Sequence, residues 1–227
     1  MQYAPVGNYP EKPLVIICGK TASGDSHDLF IRALRSGKSL HEACISSIYS
    51  NMRGNLFKYL EMIELFDYLK TKIDYWAKGN YRDLWNQVFT DLNHSLASGI
   101  QVTQACNCAI LNKGRSRSAE PRKSAFRQIQ EQYGCLFRHL RITDNLKLVV
   151  FLDTPFDNRR FHQVCFWDKR LRSLYPQVKV ISITHLSPQN NGIYKHLGDW
   201  CKMVTNRKTE NAKRLFDIAK ETVAELS

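Results

Sequence analysis

The stretch Val178 to Tyr194, VKVISITHLSPQNNGIY, decides how the rest of this chain is read. Val178, Val180, Ile181 and Ile183 are β-branched and lie between Pro176 and Pro188. That pattern predicts a buried strand of about six residues. Thr184 and His185 fall at its C-terminal end, and a polar loop with Ser187 and Asn190 follows. In an open α/β sheet, ligands bind outside the C-terminal ends of the strands, so this junction is a candidate site. Alone, His185 reads as a polar residue closing a strand, and other strands must supply partners to make it more.

Working outward, three more apolar runs have strand length. Leu14 to Cys18 (LVIIC) is the first, followed by a loop of small residues from Gly19 to Ser26. Its Gly19-Lys20-Thr21 triplet imitates a phosphate loop, but that motif needs a glycine where Leu14 stands. Ile100 to Leu111 is predicted as the second strand, and Leu146 to Leu152, ending in Asp153, as the third. Helical spacing fills Asp28 to Leu96, Ser124 to Leu140, Arg159 to Tyr175 and Thr209 to Leu226, after an extended leader from Tyr3 to Lys12. Strands alternating with helices predict an α/β fold, a mainly parallel sheet with helices on both faces. One domain over residues 1–227, with a helical insertion at about 38–98, accommodates the long gap before the second strand.

The chain has 33 Lys and Arg against 21 Asp and Glu, a formal charge of +12, which favours a polyanionic partner, most often nucleic acid. No run approaches the roughly 20 apolar residues of a membrane span, and Met1 to Lys12 lacks a signal-peptide pattern. An intracellular protein of cytoplasm or nucleoid is expected, with no membrane partner and no obligate protein partner. Seven cysteines scattered in apolar runs read as reduced, packed thiols. His162 and Cys165 have metal-ligand spacing on a predicted helix, but a packed cysteine is the simpler reading, and no metal or cofactor is expected. Lys113, Arg115, Arg117, Arg122 and Lys123 form the most basic loop, read as a solvated loop or as a segment contacting phosphates.

Taken together, these features resemble the uracil-DNA glycosylase superfamily. The resemblance rests on His185-Leu186-Ser187-Pro188, which matches the family's His-Pro-Ser-Pro loop at three of four positions, and on Asn107 in QACNCAIL, which matches its base-reading Asn. It implies a three-layer α/β/α sandwich whose central four-stranded sheet has the order 2-1-3-4. Departures mark a divergent member. The family's first loop carries a carboxylate or Asn that handles water, whereas Gly19-Lys20-Thr21-Ala22 keeps only the glycine. Leu111 stands at one cysteine position of the iron-sulfur members and only Cys135 remains, so no cluster is expected.

The resemblance implies hydrolysis of an N-glycosidic bond. Positive charge grows on the sugar and negative charge on the departing base, so a carboxylate and a hydrogen-bond donor are needed. Asp25 or Asp153 are the candidates for the first role and His185 for the second; either Asp reads equally as a cap or turn residue. Asn107, Gly19, Lys20, Thr21 and Phe30 are candidate base contacts, although Phe30 also reads as core. Ser187, Asn190, Ile193 and Tyr194 are candidate DNA contacts, the last two as a wedge in the vacated stack. The substrate expected is uracil or a modified base, including modified cytosine. A catalytically silent nucleic-acid binder of the same fold is the alternative, and a metal-dependent nuclease using Asp25, Asp153 and His185 a third reading.

Overall fold

Along β1 (Val15–Thr21), Val15 and Ile17 enter one hydrophobic cluster while Ile16 and Cys18 enter another, and all four are fully buried. A strand apolar on both faces belongs in the middle of a covered sheet. The computed structural model puts it there. Its described residues are 2–3, 7–8, 10–21, 24–106, 108–109, 140, 142–152, 163–184, 197–202 and 205–227. β1 pairs in parallel with β2 (Ile100–Cys106) on one side and β3 (Leu148–Leu152) on the other, and β3 pairs in parallel with β4 (Lys179–Ile183). The spatial order is β2-β1-β3-β4, the 2-1-3-4 order of a three-layer α/β/α fold.

Helices cover the first face. α1 (Gly24–Arg35) and α2 (Leu40–Ser47) lead into α3 (Arg53–Met62), α4 (Leu65–Lys72), α5 (Tyr81–Val88) and α6 (Leu92–Ala97). Leu56, Leu60, Phe66, Leu69 and Trp85 from this run join Val15, Ile17, Val102, Val150 and Ile181 in one buried cluster. The insertion is thus packed into the core of the sheet. Trp76 ties it to the sheet by donating its indole N–H to the Ser98 carbonyl at 2.8 Å, just before β2. On the second face, Leu171 of α7 (Gln163–Leu174) packs with Leu146 and Val178 against Ile16, Val149 and Val180. α8 (Arg207–Ala224) returns to the first face through Phe216, Ala219 and Val223.

One strand boundary differs from the sequence reading. β1 continues through Thr21, across the start of the expected loop, because it sits between two partners and pairs with β2 as far as Thr21 opposite Cys106. Within the expected Ile100 to Leu111 run, Ile100–Cys106 and Cys108–Ala109 are strand, and Asn107, Ile110 and Leu111 lie outside the described residues. β2 lies at the edge of the four-stranded sheet beside β1, and their last described pair is Thr21 with Cys106. Cys108–Ala109 pair antiparallel with Gln2–Tyr3, so the extended leader supplies a short strand.

Cys18 and Cys44 are buried thiols as expected, but Cys201 is exposed, in a short 3-10 turn that lies outside the core. Among the described residues no helix is long and apolar enough to cross a membrane. No group of three His, Cys, Asp or Glu among them is placed to hold a metal ion.

Candidate functional site

The C-terminal ends of the four strands form one edge. β1 ends in Gly19-Lys20-Thr21, β2 runs into Asn107, β3 into Asp153, and β4 into Thr184 and His185. Buried polar residues sit on the two outer strands: Gln101, Thr103 and Gln104 on β2, and Ser182 and Thr184 at the end of β4, while β3 is apolar to its end at Leu152. Among the described residues, the Thr103 hydroxyl and the Gln104 side-chain carbonyl have no hydrogen-bond partner. A buried polar group left unpaired costs roughly 1–3 kcal/mol, so a sheet built for stability alone would use apolar residues here. The sequence reading passed over Thr103 and Gln104; their signal was polar residues inside an otherwise apolar strand.

Gly19 is occupied. Its N–H donates to the Tyr49 hydroxyl at 2.7 Å, and that hydroxyl in turn donates to the Thr103 carbonyl, with the Ile17 carbonyl 3.3 Å away. The amide N–H of this candidate base contact is therefore already bonded within the protein. Tyr49 is 2% exposed, and burial, with the Cys18 thiol as a smaller cause, holds its phenol well above the usual tyrosine range. A glycine fits closely opposite it, since a Cβ on Gly19 would lie 3.1 Å from the Tyr49 ring and the ring would have to give by a few tenths of an ångström.

The remaining candidates divide by position. Asp25 is the second residue of α1 and, like Lys20 and Thr21, is described only in backbone. Phe30 is 4% exposed and packs with Ala43 and Cys44 between α1 and α2. That placement makes it core and offers no face to a base. Lys20 and Thr21 are described only in backbone, as the end of β1. Asn107, Lys113, Arg115, Arg117, Arg122, Lys123, Asp153, His162, His185, Ser187, Asn190, Ile193 and Tyr194 lie outside the described residues, as does the helix expected over Ser124 to Leu140 except for Leu140 itself. Cys165 is described in backbone alone, within α7.

A cleft of about 510 Å³ opens elsewhere, lined by Tyr75, Asn80, Leu84, His94 and Ala97 among others. Ala97 ends α6, just before β2 begins, so this cleft is near the N-terminal end of the sheet. The strand-end edge is separate from it. Compared with models of protein families, with curated proteins and with solved structures, the chain has no match.

Proposed function

We propose that this chain is a DNA glycosylase that hydrolyses the N-glycosidic bond of an extruded uracil or modified base, including modified cytosine, and leaves an abasic site. One observation carries the reading: a parallel sheet in the order β2-β1-β3-β4. In sequence, Asn107, Asp153 and His185 come directly after Cys106 of β2, Leu152 of β3 and Thr184 beyond β4. The strand ends they follow form the edge of an α/β sheet where ligands bind. The +12 charge and the basic loop from Lys113 to Lys123 suit a DNA partner.

In this proposal Asp25 or Asp153 takes a proton from water and stabilises the cationic sugar. Water oxygen bonds to the sugar carbon as the bond to the base breaks, and the base leaves with the bonding electrons. His185 donates a hydrogen bond to the negative base, and Asn107 reads its Watson-Crick edge. Ile193 and Tyr194 fill the gap, while Ser187, Asn190 and the basic loop hold the backbone. The enzyme is monofunctional and uses no cofactor.

A catalytically silent DNA binder is the second reading, favoured by the course of β1. Gly19, Lys20 and Thr21 continue as strand and bring no carboxylate to the position where the family handles water. One experiment separates the two: incubate the protein with duplex and single-stranded DNA carrying uracil or modified cytosines, then treat with alkali and detect free base by mass. Base release with an intact backbone before alkali supports the glycosylase, and its loss in His185→Ala and in one of Asp25→Asn or Asp153→Asn supports the roles. Salt-dependent binding with no base released from any substrate removes the enzyme reading.

A further inference from the structure

We infer that the N-terminal half of α8 is a phosphate-contacting surface that holds the DNA backbone beside the edge where the strands end. The inference rests on the reading of DNA as the partner and is independent of base release. Residues 207–214 carry Arg207, Lys208, Lys213 and Arg214 against Glu210 alone, and all four basic side chains are exposed. Farther along, the balance reverses, with Asp217, Glu221 and Glu225 against Lys220.

This gradient runs against the helix. A helix favours acidic residues in its first turn and basic ones in its last. α1, α4 and α7 comply, closing on Arg32 and Arg35, on Lys70 and Lys72, and on Arg172. α8 opens on two basic residues and has none in its last turn. Its charge order therefore points to a partner rather than to stability. The first amides are not what a partner meets, because the Asn206 side chain accepts from the Lys208 and Thr209 N–H groups at 3.0 and 3.2 Å. Side-chain charge is what remains. Among the described residues Arg207, Lys208 and Lys213 form no ion pair, whereas toward the other end Lys220 is bonded to Glu64 and Glu225 to Lys179, each at 2.8 Å.

That last bond also fixes which way α8 points. Glu225 lies just past the helix and Lys179 is the first residue of β4, so the C-terminal end of α8 sits where β4 begins. From there the helix packs back along β4 through Val223, Ala219 and Phe216, toward the strand's C-terminal end. At roughly 1.5 Å per helical residue and 3.3 Å per strand residue, α8 is about 27 Å long and β4 about 17 Å. Residues 207–214 thus reach past the end of β4, at the edge of the candidate site. Guanidinium and ammonium groups bind phosphate oxygens without reading sequence, the contact that positions a duplex. A membrane surface also presents phosphate, but the exposed side of residues 207–214 has no large apolar side chain to enter it.

The test is binding of a plain duplex, with no uracil or modified base, across a salt series. It compares the full wild-type chain with Arg207→Gln/Lys208→Gln and with Lys70→Gln/Lys72→Gln. The second pair removes the same charge at the opposite end of the sheet, because Ile73, directly after α4, packs against Gly99 and close to Leu14, where β2 and β1 begin. The α8 pair should weaken binding at least about tenfold at about 0.1 M salt and lower the slope of log K against log salt by about 1.8, equally on every sequence. The α4 pair should change affinity less than about twofold. Arg207→Glu/Lys208→Glu should bind more weakly still, with a urea midpoint no lower than wild type, since the new charges suit the helix dipole. Wild-type affinity and slope in the α8 pair, equal losses in the two pairs, or a loss that only tracks a lowered urea midpoint overturns the inference. So does a wild-type chain that binds no duplex, whether or not it binds phosphatidylserine vesicles. A chain that releases no base from any substrate, but loses duplex binding in the α8 pair as expected, ends the glycosylase reading and keeps this one.

Discussion

Asn8 completes the free edge of β2 as a neighbouring strand would. Its side-chain carbonyl accepts from the Val102 N–H at 2.6 Å, and its amide donates to the Ile100 carbonyl at 2.8 Å. The backbone N–H of Asn8 adds a bond to the Val102 carbonyl at 3.3 Å. β2 is an edge strand, and an exposed ladder edge invites pairing with other chains. A single buried asparagine closes it.

Asn8→Ala leaves the Val102 N–H and the Ile100 carbonyl buried without these partners. The expected loss is about 2–4 kcal/mol in urea unfolding, with increased aggregation of the variant. Asn8→Asp keeps an acceptor for Val102 but presents a carboxylate to the Ile100 carbonyl, and is expected to be no more stable than Asn8→Ala at neutral pH. A loss below about 0.5 kcal/mol in Asn8→Ala would mean that water replaces the side chain at this edge.

Gly19→Ala is expected to cost about 1–3 kcal/mol, since the new methyl would stand 3.1 Å from a ring carbon of Tyr49 and 3.2 Å from its hydroxyl. The cost belongs to the pair. In a Tyr49→Leu background the same substitution should cost clearly less, and a double-mutant cycle by chemical denaturation measures the coupling. Additive losses would show that Gly19 is required for backbone reasons apart from Tyr49.

The β-branched runs made the four strands and the α/β class legible, because a central parallel strand must be apolar on both faces, as Val15 to Cys18 are. Strand ends were less legible. The extension of β1 through Thr21 depends on its pairing with β2 as far as Cys106, which nothing local to Gly19-Lys20-Thr21 encodes. Tyr49 was invisible for a similar reason: SSIYSN reads as part of a helical run, yet its partners Gly19 and Thr103 are 30 and 54 residues away. Phe30 followed its helical stripe into the core, the ordinary fate of a phenylalanine at that spacing.

Arg53 fixes the turn that carries Tyr49. Its guanidinium reaches three carbonyls at the end of α2, lies 4.3 Å from the centre of the Phe89 ring, and is pulled down to about 10 by burial. A planar fork makes these bonds together, and an ammonium does not. Arg53→Lys is therefore expected to cost about 1–2 kcal/mol and Arg53→Ala about 2–4 kcal/mol, read as shifts in the denaturation midpoint. Equal stability of Arg53→Lys and wild type would show that charge alone suffices there.

The same buried phenols predict an alkaline limit to the fold. Burial raises Tyr49 and Tyr59 well above the ordinary value of 10.0, and Tyr75 to about 12. Above pH 10 the unfolded chain releases these protons while the folded chain keeps them, so the folded state binds more protons and stability falls as pH rises. Each fully buried group contributes a slope of about 1.4 kcal/mol per pH unit until its folded value is passed, and below pH 10 its contribution is fully present. Tyr59→Phe removes one such slope at small cost at neutral pH, because its hydroxyl has no hydrogen-bond partner. Tyr49→Phe removes another but loses the bonds to Gly19 and Thr103, so it begins from a lower stability. Urea unfolding of the three proteins between pH 8 and pH 11 measures both quantities. Curves that stay parallel above pH 10 would mean that the phenols ionise as readily in the fold as outside it, and would remove the buried tyrosines as the cause.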